Sequence, residues 1–105
     1  MITYEERALA ALGDPTRLTI FRRVADGGPL AVGAIAAELP VSRPAVSQHL
    51  RVLKDAGLLV EQRAGTRRLY EVDPAGMQAL ATYFDRFWNR ALLAFKAKAE
   101  SSGER

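Results

Sequence analysis

Hydrophobic and polar residues alternate along this chain with two different periods, and each period marks its own kind of element. The most sharply bounded run is residues 42–57. Val46, Leu50 and Leu53 recur at i, i+4 and i+7 and form one apolar stripe of a helix. Ser47, Gln48 and Arg51 point nearly the opposite way, with Arg43 and Lys54 flanking them. The run also carries its own start and stop. Ser42 suits an N-cap, whose side-chain oxygen accepts from a first-turn amide. Pro44 lies in that first turn, where its missing N–H costs nothing. Val41 and Val46 are placed as a hydrophobic staple. Gly57 can take the left-handed conformation of a Schellman stop, which lets Leu58 fold back on Leu53.

The helical period also runs through the residues before this segment. Thr3 and Glu6 form a capping box that opens a first helix, running to about Leu12 before Gly13 breaks it. Asp14-Pro15 then caps and starts a second helix that ends at Gly27-Gly28-Pro29. Leu18, Phe21 and Val24 give it a buried side, widened by Ile20 and Ala25, while Arg17, Arg22 and Arg23 read as a solvated face. Val32 to Leu39 predicts a third, short helix with Val32, Ile35, Ala36 and Leu39 inward. Pro40-Val41-Ser42 is a tight connection into the fourth. Two short helices joined in this way, the second polar on its outer side, are the outline of a helix-turn-helix.

After Gly57 the period shortens to two. Val60–Ala64 and Arg68–Val72 alternate as strands around Ala64-Gly65-Thr66-Arg67, a β-hairpin of about five residues a side. Its tip is basic, with Arg63, Arg67 and Arg68 around Gly65 and Thr66. Charged edges also serve to prevent aggregation, but next to the preceding helix the pattern favours contact with nucleic acid. Asp73-Pro74 then opens a long last helix to about Ala99, in which Gly76 is tolerated at some cost. Met77, Leu80, Phe84, Phe87, Ala91 and Ala94 follow a 3-4 spacing, broadened by Tyr83, Trp88, Leu92 and Phe95. That much apolar surface on one terminal helix reads as core and subunit interface. The expected fold class is mainly α with a small β-hairpin, in one domain over residues 1–100, followed by a loose tail at 101–105.

Composition narrows the function. The chain has 105 residues, 49% hydrophobic and 26% charged, which suits one globular domain. No stretch approaches the ~18 apolar residues of a membrane span, and the first residues lack the pattern of a signal peptide. A cytoplasmic protein is expected. With 0 cysteines there is no disulfide framework and no thiolate metal site. The net charge of +3 is carried entirely by residues 42–72, since basic and acidic residues balance elsewhere. That placement is expected of a segment that meets a polyanion. A catalytic role is not expected. The chain has no Gly-rich phosphate loop and no nucleophile elbow, and Ser47 and His49 point in different directions on one helix.

In this order of elements the sequence resembles the ArsR (ArsR/SmtB-like) winged helix-turn-helix repressors over essentially Leu9 to Phe95. The most specific stretches are Leu12–Leu18, Val41–Leu50 and Leu53–Leu58, followed by the hairpin, or wing. The resemblance implies a homodimer formed through the first and last helices, here with Tyr4, Leu9, Leu80, Tyr83, Phe84, Phe87 and Trp88. It implies binding to double-stranded DNA at a palindromic operator. Ser42, Arg43, Ser47 and Gln48 would face the groove, and Arg51 and Lys54 would reach phosphates. The wing would bring Arg63, Thr66, Arg67 and Arg68 to the flanking backbone or minor groove. His49, at the edge of the apolar stripe, is open to either a packed role or a DNA contact.

The chain departs from the metal-sensing members of that family. It has no cysteine, its only histidine is in the recognition helix, and Asp85 beside Arg86 is a poor site for Zn²⁺. No metal and no cofactor are expected. Two alternatives remain at this level. One is a repressor gated by a small-molecule effector near Tyr83, Phe87 and Trp88, and the other is a winged-helix module for protein contacts alone.

Overall fold

Residues 2–103 are described by a computed structural model, in the order α1 (Tyr4–Ala11), α2 (Pro15–Gly27), β1 (Leu30–Ala31), α3 (Val32–Ala36), α4 (Arg43–Asp55), β2 (Leu59–Ala64), β3 (Arg67–Val72) and α5 (Pro74–Gly103). The predicted caps form. Thr3 Oγ1 accepts from the Glu6 amide at 3.1 Å while the Thr3 amide donates to Glu6 Oε1 at 3.0 Å. Asp14 Oδ1 accepts from the Thr16 and Arg17 amides at 2.8 and 3.1 Å, and Ser42 Oγ accepts from the Ala45 amide at 3.2 Å. At the end of α4 Gly57 has φ +81°. The Leu58 amide donates to the Leu53 carbonyl and the Gly57 amide to that of Lys54, each at 3.0 Å, which are the two bonds of a Schellman stop.

The stripe of α4 is the hub of the core. Val46, Leu50 and Leu53 are completely buried, together with Ile20, Ile35 and Leu58. Each such side chain contributes about 1.5–3 kcal/mol through burial. The Ser42 cap is worth about 1 kcal/mol, so packing against α1, α2, α3 and β2 sets where α4 lies. Of the residues expected to widen the α2 stripe, Ile20 is buried but Ala25 faces water. Arg17 is not a solvated arginine. It is half-buried, its Nε donates to the Ala11 carbonyl at 2.6 Å, and it ties α2 to the end of α1.

The sheet has three strands in the order β1-β3-β2, all antiparallel, with Leu30 opposite Tyr70 and Leu59 opposite Val72. β1 is a third strand beyond the expected hairpin. Two residues are too few to show a period, and they become a strand only because β3 passes beside them. α3 is shorter than the expected Val32–Leu39. Past Ala36 the Glu38 and Leu39 amides donate three residues back, to Ile35 and Ala36, a tightening ahead of Pro40. α5 in contrast continues four residues past Ala99, through Ser101, Ser102 and Gly103. Glu104 and Arg105 of the expected tail lie outside the described residues.

Only the first turns of α5 join the core, through Gly76, Met77 and Leu80. From Phe84 to Ser101 every residue is exposed. The helix therefore projects, and the radius of gyration is 18.2 Å against about 13 Å for a compact chain of this size. No helix among the described residues is long and apolar enough to cross a membrane.

Candidate nucleic-acid interface

Burying Val46, Leu50 and Leu53 turns the opposite side of α4 outward. Arg43, Ser47, Gln48, Arg51 and Lys54 are all exposed along it. Ser42 is exposed too, with its hydroxyl oxygen engaged in the cap. Arg43 passes over α3 at Gly33, where a Cβ would lie 3.6 Å from its Nη1, so the bare glycine leaves the guanidinium room. His49 is half-buried, and its charge acts on Asp14 of α2. That places it on the α2 side of the helix, apart from Ser47 and Gln48. The backbone amides of Arg17 and Thr16, together with the Arg17 charge, hold the Asp14 carboxyl below its usual range against partial desolvation.

The hairpin turns at Gly65-Thr66, with Ala64 opposite Arg67 and Arg63 opposite Arg68. Arg63, Thr66, Arg67 and Arg68 are exposed. A cleft of about 410–520 Å³ need not be invoked to link this tip to the helix: Arg43 and Ser47 line the same hollow as Thr66, Arg67 and Arg68, and Gly33 of α3 forms its floor. A second hollow beside it is lined by Ser47, Gln48, Arg51, Lys54, Glu61 and Arg68. The two share Ser47 and Arg68, so α4 and the wing are the walls of one basic trough. Residues more than twenty positions apart in sequence thus meet on one face.

Glu61 was not among the residues predicted for this surface. Its Oε1 accepts from Lys54 Nζ at 3.0 Å and its Oε2 pairs with Arg68 Nε at 3.1 Å. The hydrogen bond from Lys54, with the positive field of Lys54, Arg68 and Arg63, holds its carboxyl below the usual range, against some desolvation. Two of the predicted phosphate contacts are therefore engaged within the protein. Strand alternation could have signalled this, because Glu61, Arg63, Arg68 and Tyr70 share one face of the hairpin. Lys54 could not have been placed there from sequence, since Gly57 reverses the chain between them.

The residues expected at a subunit contact divide in two. Tyr4, Phe84, Phe87 and Trp88 are exposed, Trp88 by 62%. Leu92, Leu93 and Phe95 extend the apolar surface along α5. Tyr83 is half-buried, with its ring edge-to-face against Phe84 at 6.0 Å. Leu80, by contrast, is 8% exposed and belongs to the protomer's own core, and Leu9 packs against that core. Among the described residues no group of three or more His, Cys, Asp or Glu could hold a metal ion.

Comparison with known proteins agrees with this geometry. The family model described as a helix-turn-helix domain matches residues 12–63, which span α2 to the outer part of β2. The HTH-type transcriptional regulator Rv2034 of Mycobacterium tuberculosis is 55% identical over 99% of this chain and 98% of its own length. An ArsR-like transcriptional regulator from Rhodococcus sp. RHA1 superposes with a TM-score of 0.76 at 30% identity, over 91% of this chain and 92% of that one. The homodimeric winged helix-turn-helix DNA-binding domain of Mb0332 from Mycobacterium bovis is 32% identical with a TM-score of 0.63, over 81% of this chain and 75% of that one.

Proposed function

The chain belongs to the ArsR family of winged helix-turn-helix transcriptional regulators, and from that premise we propose that it is a dimeric, metal-independent repressor that binds a palindromic operator. The observation that carries this reading is the trough in which Arg43 and Ser47 of α4 meet Thr66, Arg67 and Arg68 of the wing. A helix bearing arginine, hydroxyl and amide groups suits the base edges of a major groove. Arginines to one side of it suit the sugar-phosphate backbone, where contacts position the protein without reading sequence. The working unit is a single domain over residues 1–100. Two copies related by a two-fold axis would set two α4 helices about 34 Å apart, in successive major grooves. The dimer draws support from the homodimeric state of the Mb0332 domain and from the bare aromatic side chains of α5.

Titrating fluorescent duplexes against the protein at several salt concentrations tests this reading. Wild-type protein is expected to bind DNA with a steep salt dependence, and absence of binding at low salt would favour a protein-contact module. Arg43→Ala is expected to cost about 1–3 kcal/mol on the operator and little on random DNA. Equal losses on both would make Arg43 a phosphate contact. Arg67→Ala should weaken all duplexes alike and make the salt slope shallower by about 0.9. An unchanged slope would remove the wing from the interface.

An effector-gated repressor finds less support in the single chain. The hollow beside Tyr83 and Phe87, completed by Arg86 and Arg90, holds about 150 Å³. Small-molecule pockets commonly begin near 300 Å³.

A further inference from the structure

A carboxylate in the middle of a surface meant for phosphates needs a reason. Glu61 is on the face of the hairpin that turns toward α4, with the directly opposed pair Arg63 and Arg68 beyond it. Like charges facing each other across two strands repel, and Lys54 approaches the same point from the helix. Glu61 joins Lys54 of α4 to Arg68 of β3 through its two oxygens, at 3.0 and 3.1 Å. Its side chain is only 18% exposed, against 47% for Lys54 and 59% for Arg68, so the acid is at the base of the trough and the cations at its rim. Asp55 also borders this hollow, but it is Glu61 that makes the ion pairs.

We propose that Glu61 is a positioning residue that sets sequence discrimination, by holding Lys54 and Arg68 back from phosphates that carry no sequence information. This rests on the reading of α4 and the wing as a duplex-binding face. Non-specific binding is almost wholly electrostatic, so a fixed carboxylate among the cations subtracts from it directly. Operator binding draws in addition on Arg43, Ser47 and Gln48, none of which Glu61 contacts. It also needs a fixed angle between α4 and the wing, which the Lys54–Glu61–Arg68 bridge supplies. The carboxylate therefore weakens the wrong complexes more than the right one.

The test compares wild-type protein with Glu61→Gln, which keeps the shape of the side chain and removes its charge. Two probes are used, a pool of random duplexes of about 30 base pairs, long enough for two half-sites, and the duplex that wild-type protein enriches from that pool. Glu61→Gln is expected to bind the random pool about 3- to 30-fold tighter at low salt, with a slope steeper by about 0.9 to 1.8 as one or two cations are freed. Affinity for the enriched duplex should change less, so the ratio of the two falls. Unchanged affinity and slope on the random pool would overturn the proposal. Weaker binding to both probes would overturn it as well, because Glu61 would then only hold the wing in place. If wild-type protein binds neither probe, the DNA reading itself fails, a result visible before any variant is measured.

Discussion

Gly76→Ala is expected to destabilise the protein by about 2 kcal/mol or more, lowering the melting temperature by roughly 10 °C. On helix propensity alone the opposite is expected, since alanine in place of glycine inside a helix gains up to about 1 kcal/mol. The surroundings reverse the sign. A Cβ on Gly76 would run into the Gly57 carbonyl oxygen and stand 3.0 Å from its carbon and 3.4 Å from Leu58 Cα. These are backbone atoms of the turn that stops α4, and they cannot rotate away. The same carbonyl accepts from the Tyr4 hydroxyl at 3.3 Å, and the Asp73 amide donates to the Leu58 carbonyl at 2.9 Å. α1, the end of α4 and the start of α5 are thus joined at one point, and overpacking it costs about 1–3 kcal/mol, sometimes more. Thermal melts at one fixed protomer concentration check this, because association shifts apparent stability. An unchanged or raised melting temperature would mean that the joint yields easily.

A larger effect on DNA binding is expected from Phe87→Glu. Phe87 is 55% exposed, flanked by Phe84 and Trp88 on the projecting part of α5. If this surface joins two copies, the new carboxylate would be taken out of water without a partner, which a modest interface cannot tolerate. The variant is expected to run as a monomer in light scattering. Its affinity for a two-half-site operator should fall by about 10² to 10⁴-fold, because the second recognition helix no longer binds at high effective concentration. Binding to a single half-site should change little, since Phe87 is remote from Arg43 and Ser47. A dimer that survives the substitution would place the subunit contact elsewhere.

How much of this was legible beforehand depends on whether a feature is local. Ser42, Asp14 and Thr3 could be read as caps because a cap and the amides it satisfies are within three residues of each other. The α4 stripe could be read because burial of Val46, Leu50 and Leu53 follows from helical spacing. The hairpin tip with Arg63, Arg67 and Arg68 was equally plain, since its turn is two residues long. Features made by distant segments were not legible. Leu80 and Phe87 belong to one apolar seam, yet the first is in the core and the second in the open, because the domain ends partway along α5. Arg17 looked solvated until the end of α1 supplied a carbonyl for it.

By itself, then, the amino-acid order determined the helices, their ends, the wing and the placement of positive charge, all of which depend on periods and caps spanning a few residues. Tertiary structure alone decided that β1 is a strand, that Gly76 must lack a side chain, and that Glu61 holds Lys54 and Arg68. Each of these depends on the approach of segments separated by a turn or more, where packing geometry and not sequence spacing sets the distance between atoms.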